Sequence, residues 1–227
     1  MALDNFLREM DERQRSEYKQ LSLFDTDQTG QWSDSEKQYF TRVFYHTRGH
    51  FDRLLWTRLV YAPTANDKRR ILKYISEEAG LEGRRNGTSH EKLFAVFAES
   101  LGVDVTPELT EEEDYLPFAR EFNSGLIKWF RRNDWENGEV GFAAYERLDN
   151  VDYEFMEKVA KSMQVPEEGM TFFKVHKNAK HFEETSGKLP QIWQRDEQKV
   201  RDAFDFIYAH QRRMWKGLSD AMEAYTT

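Results

Sequence analysis

Two glutamates and two histidines fall where helical spacing turns them toward apolar neighbours. In "ILKYISEEAG", Ile71 and Ile75 mark one stripe, and Glu78 extends it at i+7 and i+3. Glu77 follows Arg70 and Lys73 and is expected on the wet side. His90 opens the stripe of Phe94, Phe97 and Leu101, and Glu146 follows Phe142 and Ala143. His176 follows Phe172 and Phe173, and on one continuous helix its face would continue through Lys180 and Glu183, with His181 rotated away. A buried carboxylate is costly unless it is paired or bound to metal. Each residue taken singly also fits a satisfied core hydrogen bond. Two carboxylates with two imidazoles, and no thiolate, form the donor mix that suits non-haem iron or manganese inside a helical bundle.

A second stretch, "DTDQTGQWSDSE" at residues 25–36, has the spacing of a calcium-binding loop, with Asp25, Asp27, Thr29, Gly30 and Glu36 at positions 1, 3, 5, 6 and 12. Such loops work in pairs, and the chain offers no second one. The position that usually carries an aliphatic residue is Trp32, and Ser33 with Glu36 spells a helix cap. Calcium is therefore not expected at 25–36, and a helix–helix turn is. In "YHTRGHFDR", His46, Arg48 and His50 could reach a substrate anion, but surface or capping roles are favoured. Tyr145, Phe172 and Trp129 could shape an apolar pocket or be ordinary core.

The elements that must position these residues are helices. The 227 residues are 39% hydrophobic and 33% charged, with few Pro and Gly, and no run alternates as a strand would. Helices are predicted over Leu3–Phe24, Ser33–Tyr61, Asn66 or Asp67 to Glu78, a segment capped by Thr88 and Glu91 and ending at Gly102, Leu116–Arg131, Val140–Met163, Pro166–Thr185 and Asp196–Ala224. The expected fold is all-α: one bundle of seven or eight helices, with residues 1–32 an N-terminal helix and turn and residues 33–227 the bundle proper. A net charge of -8 argues against generic nucleic-acid or anionic-membrane partners. Without cysteine there is no disulfide framework and no Cys nucleophile. The charged N-terminus is unlike a signal peptide and no apolar run reaches a membrane span, so a cytoplasmic location is expected, and Asn86-Gly87-Thr88 is read as a turn.

The segments "ILKYISEEAG…SHEKLFAVFAESLGV", "FAAYERLDNVDYEFMEKVA" and "FFKVHKNAKHFE" occur in the order and spacing of the haem-oxygenase-like di-iron oxidases. That superfamily includes CADD-like, pyrroloquinoline-quinone synthase-like and thiaminase-II-like proteins. The resemblance runs over roughly residues 35–222. It implies a seven-helix haem-oxygenase-like bundle whose metal ligands would be Glu78, His90, Glu146 and His176. The family's last ligand helix carries His-x3-Asp-x2-His. Here the Asp position is Lys180 and the final His position is Glu183, which could still ligate through oxygen as a fifth ligand. Lys180 would instead donate a proton or pair with a ligand carboxylate.

The implied activity is that of a non-haem iron oxidase or oxygenase, with one or two iron ions activating O2 on a small organic substrate. A homodimer is implied by analogy. Two alternatives stay open: a cofactorless oxidase of the quinone-synthase type, and a non-enzymatic binding protein on the same fold. Thiaminase-type hydrolysis would need the absent Cys nucleophile.

Overall fold

The computed structural model describes residues 2–48, 50–81, 88–179 and 181–226; Lys180 and Asn86-Gly87 of the sequon lie outside them. Among the described residues the regular structure is helical throughout. At its centre runs α9, Trp135–Ser162, started by Asp134, whose carboxylate accepts the Asn137 backbone N–H at 2.7 Å. Its buried residues point in nearly every direction, as expected of a helix surrounded by others. Around it pack α1 (Ala2–Tyr18), α2 (Thr26–Thr29), α8 (Pro117–Arg132), α10 (Glu167–Lys177), α11 (His181–Thr185) and the long α13 (Glu197–Thr226). The remaining helices are α3 (Asp34–Arg48), α4 (Phe51–Tyr61), α5 (Ala65–Glu78), α6 (His90–Ser100), α7 (Thr106–Thr110) and α12 (Leu189–Arg195). The all-α bundle expected from the sequence is the fold observed.

Several boundaries differ from expectation. The first helix stops at Tyr18, and Ser22–Phe24 forms a separate 3-10 turn. The predicted 33–61 helix is two helices, α3 and α4. Ser89, not Thr88, starts α6, its hydroxyl accepting the Lys92 N–H at 3.0 Å. The predicted helix 166–185 is also two. The Asn150 amide of α9 donates to the His176 carbonyl at 3.2 Å and to the Ala179 carbonyl at 3.1 Å, capping the end of α10 from outside the helix.

Residues 25–36 form a capped turn. The Asp25 carboxylate accepts the N–H groups of Asp27 and Gln28 to start α2. Glu36 folds back to accept the Ser33 N–H at 2.6 Å, and the hydroxyls of buried Thr29 and Ser162 meet at 2.6 Å to tie the turn to α9. No helix among the described residues is long and apolar enough to cross a membrane.

Candidate metal centre

Four helices bring the expected donors to a cavity of about 450 Å³. The end of α5 brings Glu78, the first residue of α6 brings His90, the middle of α9 brings Glu146, and the last turn of α10 brings His176. All four line this cavity. Glu78 Oε2 lies 2.7 Å from His90 Nδ1. The His176 ring stacks on Tyr153 at 4.4 Å and meets the His90 ring at 4.5 Å. Its Nδ1 donates to the Phe172 carbonyl at 2.7 Å, which puts the proton of the neutral ring on Nδ1 and the lone pair on Nε2.

Glu146 is buried, and among the described residues no cation is in ion-pair contact with it. Burial pushes its carboxyl well above the usual range. Asp149 and Glu78 push it the same way, and Arg48 pulls it down. Asp149, which also lines the cavity, is raised by burial as well. Arg48 clamps this side of α9, with Nη1 2.6 Å from Asp149 and Nη2 2.6 Å from Asp152. Asp152 accepts further bonds from Gln14 and the Tyr18 hydroxyl, each at 2.7 Å.

The structure moves three expected positions. Glu77 is not on the wet side: it is buried, with Lys73 Nζ at 3.6 Å and His181 Nδ1 at 4.0 Å. His181 is not turned away. Because α10 ends early, His181 opens α11, lines the cavity and meets the edge of Tyr74. Glu183 is exposed and is not among the lining residues, whereas Glu184 approaches Lys73 at 3.0 Å. Among the described residues, the three donors whose ligating atoms all lie within 4.8 Å of one another are Glu77, His181 and Glu184. The neighbouring glutamates of α5 thus serve two donor groups, Glu78 with His90 and Glu77 with His181. Lys180, expected to act beside the metal, lies outside the described residues.

Arg48 and His50, for which surface or capping roles were favoured, line the cavity, and His46 is fully buried behind them. Of the three aromatics, Tyr145 and Phe172 line the cavity. Trp129 does not. It stacks on Phe206 and covers Gly141, where an added Cβ would fall 2.4 Å from its ring. Asp149 was missed, although its place one turn beyond Glu146 could have found it.

The donor types around the cavity suit a divalent cation, and the group whose ligating atoms already lie together is Glu77, His181 and Glu184. Glu146 and Asp149 are buried carboxyls whose surroundings disfavour their charge, the half-buried Glu78 lies on the same cavity wall, and His176 offers its Nε2 lone pair there. Carboxylate oxygen with imidazole nitrogen is iron- or manganese-type ligation.

The family described as iron-containing redox enzymes matches residues 38–186. A crystal structure of a domain of unknown function with a heme oxygenase-like fold, from Shewanella denitrificans OS217, is similar with a TM-score of 0.74. The similarity covers 100% of this chain and 96% of that one at 15% identity, which is a likeness of fold. No curated protein matches the chain.

Proposed function

The chain belongs to the family of iron-containing redox enzymes, and from that premise we propose that it is an iron-dependent oxidase or oxygenase acting with O2 on a small organic substrate held in the cavity. One observation carries this reading: Glu78, His90, Glu146 and His176 come from four helices to one cavity of about 450 Å³. These four would hold a first iron. The Glu77, His181 and Glu184 group would hold a second more weakly, because the Lys73 ammonium already lies against two of its carboxylates. Iron, when bound, supplies the electron-transfer chemistry with O2 that these side chains lack.

The chain's own residues do the rest. The Phe172 carbonyl fixes the tautomer and orientation of His176. Arg48 holds Asp149 and Asp152 in place, so the acidic wall does not spring apart by like-charge repulsion. Phe94, Phe172, Ile75 and Tyr145 give the cavity apolar surface for the body of a substrate and limit the entry of water.

The test is metal content. Protein purified without chelator or oxygen and loaded with Fe(II) is expected to hold about one iron firmly per chain. His176→Ala is expected to lose that iron with its helical circular dichroism intact. Wild-type iron retention in His176→Ala, or no retention in the wild type, overturns the assignment.

A further inference from the structure

Away from the candidate metal donors, three buried side chains are linked in sequence along the cavity wall. His50 lines the cavity, His46 lies behind it at 0% exposure, and Glu108, at 1% exposure, closes the chain where it too borders the cavity. Glu108 Oε2 accepts the backbone N–H of Asp114 at 2.9 Å and faces His46 Nε2 at 2.8 Å. An oxygen already serving as acceptor takes the proton of His46 Nε2, which leaves the His46 lone pair on Nδ1. That nitrogen faces His50 Nε2 at 3.2 Å and accepts from it. The lone pair of His50 is then on Nδ1.

The rings are held in place as well as oriented. Tyr115 stacks on His46 at 4.6 Å and on His50 at 4.7 Å, while Asn123 ties the Tyr115 hydroxyl to the His46 carbonyl. His50 also stays neutral near pH 7. Burial, with the positive charges of Arg53 on α4 and Arg120 on α8, lowers its pKa to about 4 against the opposing charge of Glu112.

We propose that Glu108 and His46 are positioning residues that lock His50 as a hydrogen-bond acceptor in the cavity wall, so that the cavity selects ligands presenting an O–H or N–H donor on an otherwise apolar body. This rests on the reading of the cavity as a substrate site and names the class of substrate it takes. A ligand without the donor leaves a buried acceptor unsatisfied and is penalised accordingly. Glu108→Leu removes the acceptor that fixes the relay, whereas Glu108→Gln keeps an oxygen there and rescues it.

Two measurements on the full chain as purified, with its iron content determined alongside, test the proposal. The first is the tautomer state of ¹⁵N-labelled histidines by NMR near pH 7. His46 and His50 are expected as Nε2–H tautomers in the wild type and in Glu108→Gln, and as mixtures in Glu108→Leu. A Nδ1–H tautomer at His50, or no change in Glu108→Leu, overturns the relay.

The second is binding of p-cresol against 4-methylanisole, which differ in the donor. The cresol is expected to bind about tenfold or more tightly, with the preference lost in His50→Phe. Equal affinities, or no binding of either probe, overturn the selection. Neither readout requires iron, so a failure of Fe(II) loading and a failure of this proposal are told apart.

Discussion

Glu139 and Glu146 sit two turns apart on the same helix, both buried, yet they are treated in opposite ways. Glu139 is held between two guanidiniums: Arg58, itself only 2% exposed, lies 2.6 Å from one oxygen, and Arg70 pairs with the other. The Arg58 head also donates to the Gly138 carbonyl at 2.6 Å. Glu146 has no such partner among the described residues and faces the cavity beside Glu78 and Asp149. A carboxylate fully satisfied by its own chain is structural. One kept buried and repelled by its neighbours is held at a cost that folding alone does not repay, and the proposed iron is a partner that would offset it.

The comparison can be broken first at its structural end. Glu139→Ala strands the buried Arg58 cation and is expected to cost about 3–5 kcal/mol in urea unfolding. A loss below about 1 kcal/mol would make Glu139 no more structural than Glu146. At the other end, Glu146→Gln removes a carboxylate whose burial opposes its own charge. Iron-free protein is expected to gain on the order of 1 kcal/mol, or to stay unchanged, while iron retention falls. A clear loss of iron-free stability would show that Glu146 is satisfied internally after all.

The pH dependence sharpens the same point. Burial, with repulsion from Asp152 and Glu78, raises Asp149 to about 7 against the pull of Arg48, and Glu146 is raised too. A carboxyl raised on folding holds its proton in the folded state at pH values where the unfolded chain has released it. Its contribution is therefore fully present below the unfolded pKa and is lost as pH rises toward the folded one. Iron-free wild type is expected to lose melting temperature between about pH 5 and 7 relative to the Glu146→Gln, Asp149→Asn double variant. Parallel curves would remove the strain argument. The smallest effect is expected outside: Arg15→Ala breaks the half-exposed pair with Glu154, near the end of the same helix, and should cost only about 0.5 kcal/mol by thermal unfolding.

Much of this arrangement was legible in one dimension. The stripes Ile71–Ile75, Phe94–Phe97 and Phe172–Phe173 identified the faces that enter the core, and they carried Glu78, His90, Glu146 and His176 to one cavity. The Ser33–Glu36 cap was equally readable, because both partners lie within one helical turn. Glu77, His181, Asp149 and Arg48 were not. Placing Glu77 on the wet side assumed that nothing covered that face of α5, and His181 and Glu184 do. Turning His181 away assumed a helix that Asn150 ends from 26 residues upstream.

By itself the sequence determined which faces of which helices are buried, and so the all-α bundle and the inward pointing of its four proposed ligands. Helical geometry is set by hydrogen bonds four residues apart, and its period of 3.6 is written into the spacing of apolar side chains. The tertiary structure alone decided where α10 stops, which glutamate meets which histidine, and which buried carboxylate has an arginine while another has none. Those outcomes depend on side chains brought together from 26 to more than 100 residues apart, such as Asn150 with His176 and Arg48 with Asp152, and no local period records such meetings.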